Sequence, residues 1–170
     1  MRQLIFFILI TLIISCNRND NPDTNSPINV KAEITRTFDS TYVHDTSIHQ
    51  MYNLRLSIIN VSKKVIRFWA MTCDWQSSWQ TNKENYFIVW PSVCDANYPR
   101  AKRLNPNESF TYNACVCRDK YNTMFMNENN LKLGFIYIDT VACKNISNFR
   151  NFIGDRSTYK IIWSNPVDLK

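Results

Sequence analysis

Apolar residues recur at every second position through most of this chain. Val30, Ala32 and Ile34 alternate with polar neighbours, and Leu54, Leu56 and Ile58 repeat the pattern. A period of two places such residues on one face of an extended strand, where a helix would need a period near 3.6. The polar cluster Asn60-Val61-Ser62-Lys63-Lys64 reads as a turn. Beyond it, Val65 to Met71 is rich in β-branched and aromatic residues, and strand-like runs follow at Tyr86 to Trp90, Ser109 to Ala114, Lys132 to Ile138 and Thr158 to Trp163. Helical spacing interrupts this in two places. Arg118 to Asn130 puts Tyr121, Met124 and Phe125 on one side, and Lys144 to Ile153 spaces Ile146, Phe149 and Ile153 at i, i+3 and i+7. Short helices covering loops are expected there.

Seven short strands separated by turn chemistry predict an all-β fold, an antiparallel β-sandwich of immunoglobulin-like type. Leu104-Asn105-Pro106-Asn107-Glu108-Ser109 resembles the L-x-P-G-E-S turn that precedes a strand in many bacterial Ig-like domains, including those related to the intracellular proteinase inhibitor family. Asn107 stands where that pattern has glycine, and asparagine is the next-best residue at positive φ. The resemblance spans six residues and bears on the fold. It also implies one functional reading, a protease-inhibitor-like module, although this superfold hosts many functions.

The alternation is absent from the N-terminus. Arg2 is followed by Leu4 to Ile14, apolar except for Thr11. That is well short of the ~20 residues a membrane-spanning helix needs, and its basic flank fits a signal peptide. Ile13-Ile14-Ser15-Cys16 resembles the lipobox of bacterial lipoproteins. The resemblance implies diacylation of Cys16, cleavage before it and acylation of the new amine, which together give durable anchoring. Asn17, where an aspartate would signal inner-membrane retention, points to the outer membrane. Asn17 to Pro27 has no apolar residue except proline and reads as a flexible tether. The expected organisation is thus a signal peptide at 1–15, a lipidated cysteine and tether at 16–27, and one sandwich domain at 28–170.

Composition removes several function classes. The net charge is +6 with the basic residues scattered, so a solvated surface explains it and no nucleic-acid partner is expected. Only Gly134 and Gly154 are glycines, which leaves no material for phosphate-cradling or dinucleotide-binding loops. His44 and His49 are the two histidines. Five apart in an apparently polar connection, they miss the helical i, i+4 zinc spacing and read as solvent-facing loop residues. There is no G-x-S-x-G elbow and no distinctive carboxylate context, so no enzyme and no catalytic residue are expected.

The tryptophans and cysteines carry the candidate sites. Trp75 and Trp79 lie among Asp, Gln and Ser. Such aromatics can grip a protein or glycan partner, or cap the end of the core. Trp69, Trp90 and Trp163 sit within strand patterns, where packing explains them. Beyond Cys16 stand Cys73, Cys94, Cys115, Cys117 and Cys143, and in an oxidising envelope disulfides are the default. Connections of an Ig-like sandwich alternate between its ends. On that rule Cys94 pairs with Cys143, and Cys73 with Cys115 or Cys117; the rival is Cys73 with Cys94. Met71, Met124 and Met126 lie near these thiols in sequence, and thiolate with thioether selects Cu(I). Two readings follow beside the inhibitor-like one. The first is a lipid-anchored, non-enzymatic domain binding a protein or glycan partner without a cofactor. The second is a Cu(I)-handling protein using Met71, Cys73, Cys115, Cys117, Met124 and Met126. Partner identity and oligomeric state are not encoded in any local pattern.

Overall fold

A computed structural model describes residues 25–42, 45–90, 97–119, 130–144 and 160–169. Within these the chain forms nine strands: β1 (Ile28–Tyr42), β2 (Asp45–Asn60), β3 (Ile66–Met71), β4 (Trp79–Thr81), β5 (Tyr86–Ile88), β6 (Pro99–Leu104), β7 (Ser109–Arg118), β8 (Leu133–Tyr137) and β9 (Lys160–Trp163), with one 3-10 turn at Trp75–Ser78. All ladders are antiparallel. The seven expected strands correspond to β1, β2, β3, β5, β7, β8 and β9; β4 and β6 are additional. The helices expected between Arg118 and Asn130 and between Lys144 and Ile153 fall almost wholly outside the described residues.

One sheet has the order β1-β2-β7-β5. Counted among the seven expected strands these are the first, second, fifth and fourth, the order of one sheet of an immunoglobulin constant-type sandwich. Opposite it, β8 carries β9 on one side and β4 on the other. The backbone just past β8 bonds to β3, with Trp69 N donating to Ile138 O at 3.0 Å and Thr140 N to Arg67 O at 3.2 Å. Thus β3 and β4 together form one long strand beside β8, broken by the excursion through Thr72–Ser78. On its far side β3 carries β6.

The core follows from the alternation. Leu54, Leu56, Ile58, Val30 and Val116 from the first sheet meet Phe68, Leu133 and Phe135 from the second, all nearly inaccessible to water. Gly134 turns to the other face, where a Cβ would lie 2.6 Å from Ile161 and 2.8 Å from the Trp163 ring; only hydrogen fits beneath that packing. That outer face carries a small cluster of its own, Ile136, Ile138 and Cys143 with Trp69, Met71 and Ile161.

Two turns lock together at one end. Asn60 is fully buried, and its side-chain amide donates to Lys64 O at 2.8 Å and Leu104 O at 3.1 Å. Its backbone exchanges bonds with the next turn, donating to Glu108 O and accepting from Asn107 N. Asn107 has φ 63, the left-handed conformation that its place in the Leu104–Ser109 motif requires.

A bulge controls β1. Its register against β2 shifts between Ile34 and Arg36, so Thr35 is an extra residue. Before it Val30, Ala32 and Ile34 face the core opposite Ile58, Leu56 and Leu54; after it Arg36 and Phe38 lie opposite Asn53 and Met51 on the outer face.

Candidate functional site

The two faces of β7 differ in kind. Tyr112, Ala114 and Val116 point into the core, which sets Cys115 and Cys117 on the outer face. The expectation that these cysteines open a connection is corrected, because β7 runs on to Arg118. Their neighbours come from β2, whose Met51 pairs with Cys117 and Asn53 with Cys115. On either side, Phe38 of β1 pairs with Met51 and Phe87 of β5 with Cys117. A row of Phe38, Met51, Cys117 and Phe87 therefore crosses four strands.

Two sets of polar contacts flank this row. The Cys115 thiol lies 3.8 Å from Met51 Sδ. The Cys117 thiol and His49 Nδ1 both reach Arg118 O, at 3.6 and 3.4 Å. Met51, His49 and Cys117 are buried, with Cys115 half-buried at the mouth, and burial pushes the Cys115 thiol above its ordinary pKa. His49 is thus not the exposed loop residue its polar surroundings suggested. The segment from Thr35 to Gln50 is rich in Thr, Tyr and Ile, and its β-propensity extends the hairpin through residues that have no core face. His44 lies outside the described residues.

Among the described residues the expected copper ligands do not all meet. Met71 packs beside Trp69, Ile138 and Cys143 on the outer face of the opposite sheet, away from Cys115 and Cys117. Cys73 is disulfide-bonded, and Met124 and Met126 lie outside the described residues. The disulfide pairing is corrected as well. Cys115, Cys117 and Cys143 are thiols, so neither Cys94–Cys143 nor a bridge from Cys73 to Cys115 or Cys117 forms. The partner of Cys73 lies outside the described residues, where Cys16 and Cys94 are the remaining cysteines. The fold explains why the rule of alternating ends fails. β6 is an extra strand running beside β3, and the chain entering it docks on the end of β3, with Thr72 N bonded to Tyr98 O at 3.0 Å and Asp74 N to Asn97 Oδ1 at 3.1 Å.

The tryptophans divide. Trp79 is buried, 5.1 Å from the Phe135 ring and edge-on to Tyr112 at 5.9 Å; it belongs to the core and offers no gripping surface. Trp75 is half-buried and stacks on Tyr112 at 4.6 Å, closing the core from outside. Trp90, just past β5, is 53% exposed and does not pack as its strand pattern suggested.

A groove of about 930 Å³ runs between β1 and β9, lined among others by Lys31, Glu33, Arg55, Lys132, Ile161 and Trp163. Backbone groups of β1 point into it. The Asn165 carboxamide accepts from Ala32 N and donates to Ala32 O, both at 3.0 Å, as one rung of a neighbouring strand would.

Comparison with known proteins adds little. The chain matches no known protein family and no curated protein. A crystal structure of a FixG-related protein from Vibrio parahaemolyticus aligns with 10% identity over 85% of this chain and 99% of that one, at a TM-score of 0.36, a likeness too slight to carry an argument. Among the described residues no helix is long and apolar enough to cross a membrane.

Proposed function

We propose that this chain is a lipid-anchored envelope protein whose sandwich domain binds an extended segment of a protein partner in the groove between β1 and β9, without catalysis. The observation that carries the reading is the Ala32 edge. Its backbone donor and acceptor face the groove and are held by the Asn165 amide, a stand-in for one strand rung that an incoming segment would displace. Strand addition uses such edges: main-chain bonds give affinity and flanking side chains give selectivity. Here Ile161 and Trp163 supply apolar contacts, while Lys31, Glu33 and Lys132 supply charges of both signs. The Ile13-Ile14-Ser15-Cys16 motif supports the anchor, and the tether would hold the groove near the membrane surface.

A photo-crosslinking residue at Asn29 or Lys31 in living cells tests the binding. The expected result is a discrete adduct that the same residue at Arg103, on β6, does not give. Equal adducts at both positions, or none at either, would overturn the reading. Metabolic palmitate labelling tests the anchor separately. Cys16→Ala should abolish it, and unchanged labelling would refute lipidation.

A further inference from the structure

We propose that the outer face of β2 and β7 is a Cu(I) site in which Cys115 Sγ, Met51 Sδ and Cys117 Sγ are the ligands, with His49 beside them. The site is assembled by register. His49-Gln50-Met51 and Cys115-Val116-Cys117 are each i, i+2 pairs on a strand, so each presents both of its donors to one face. The pairing of Met51 with Cys117 then brings the two pairs together. A metal–sulfur bond is roughly 2.3 Å long. The 3.8 Å between Cys115 Sγ and Met51 Sδ therefore admits one ion bridging them at an angle of about 110°.

The donor set selects the ion. Among the described residues no three His, Cys, Asp or Glu side chains gather closely enough to hold a metal, as a zinc site would need. The cluster becomes a ligand set only when the Met51 thioether is counted, and two thiolates with a thioether favour soft Cu(I). On binding, each thiol gives up its proton to solvent, and two thiolate–Cu bonds and one thioether–Cu bond form with no change in oxidation state. The Arg118 carbonyl is within reach of both the Cys117 thiol and His49 Nδ1; once Cys117 has given up its proton, it is left to accept from the imidazole, the outer-shell role of a carbonyl beside a histidine. Phe38 and Phe87 flank the row at paired positions, and half-buried Cys115 is the route of entry.

The test is anaerobic competition of the detergent-solubilised full chain against the chromophoric Cu(I) chelator bicinchoninate. The chain should retain one Cu(I). Met51→Leu and Cys115→Ser should each weaken retention roughly tenfold to a hundredfold, whereas Cys143→Ala, which removes a thiol on the opposite sheet, should leave it unchanged. Met51→Leu conserves volume and decides the matter should Cys115→Ser fold poorly. Failure to retain Cu(I), equal loss in Cys143→Ala, or tighter retention of Zn(II) would overturn the site. None of these outcomes depends on lipidation or on the β1–β9 groove.

Discussion

The inner and outer faces of β7 are built from alternate residues of one short strand, yet they obey different rules. Inside, Tyr112 is clamped between Trp75 and Trp79 and touches Phe110 at 4.8 Å, and its position is set by volume and shape. Outside, towards Ser109, the face is polar: Ser57 Oγ lies 3.3 Å from Thr111 Oγ1, and Arg55 reaches Glu33 at 3.5 Å. Only towards Arg118 does the outer face turn to sulfur and aromatic rings. This end of the face is also shielded: Met51, His49 and Cys117 are buried and Cys115 half-buried, although they point away from the core between the sheets. Their gathering there sets this end of the face apart, while Trp75 and Trp79, conspicuous in the sequence, close and fill the core.

The sharpest break in this comparison should come from Trp79→Ala. If the ring is core, its loss costs roughly 3–5 kcal/mol, read as a lowered urea midpoint; a loss under about 1 kcal/mol would place Trp79 among surface contacts. Next comes the disulfide. Cys73→Ser should cost roughly 3 kcal/mol, and Cys94→Ser the same with no further loss in the double variant, if these two are partners. Non-reducing peptide mapping would identify the bridge directly. On the outer face, Met51→Leu should cost less than about 1.5 kcal/mol, so any large metal defect in that variant is not a folding defect. The smallest effect at neutral pH belongs to Tyr112→Phe. The Tyr112 hydroxyl is buried and has no hydrogen-bond partner among the described residues, so its removal should be neutral or stabilising by up to about 1 kcal/mol.

Alkali separates that variant further. Burial raises the pKa of Tyr112, and burial with the neighbouring Asp139 pushes Tyr137 up to about 12. Above pH ~10 the unfolded tyrosines ionise while the folded ones keep their protons. The unfolded state then binds fewer protons, and stability falls as pH rises from about 10 towards 12. Tyr112→Phe should flatten that decline in a pH series of denaturation midpoints, and an unchanged slope would show that Tyr112 does not contribute.

Most of the sandwich was legible because alternation is a local signal. Leu54, Leu56 and Ile58 declare one face whatever they pair with, and Asn107 declares its turn. β6 was not legible. Pro99-Arg100-Ala101-Lys102-Arg103-Leu104 is charged as edge strands are, with too few apolar positions to register as alternation. Missing it left the rule of alternating ends without a strand beside β3, and the pairings drawn from that rule do not form. The sulfur cluster was legible only in halves. His49-Gln50-Met51 and Cys115-Val116-Cys117 each show a same-face pair, but the register that joins them links strands more than sixty residues apart. A search for paired i, i+2 donors on separate strands would have found both halves and left their meeting to the fold.

Thr35 gives the hairpin something like a reading frame. Each residue of β1 is assigned to a face by parity, and this one insertion changes the parity for everything beyond it. Were Thr35 drawn into the ladder as an ordinary residue, the segment 28–34 would stay in phase, held by the core, while Phe38 would turn inward towards the face of Tyr52 and Thr37 would turn out beside Met51. The sulfur row would lose its aromatic flank on that side, although no residue of the row had been altered. Straightening the bulge is therefore a frameshift in three dimensions, whose effect appears along the strand beyond Thr35, whereas deleting Thr35 itself would leave the pairs on both sides as they are.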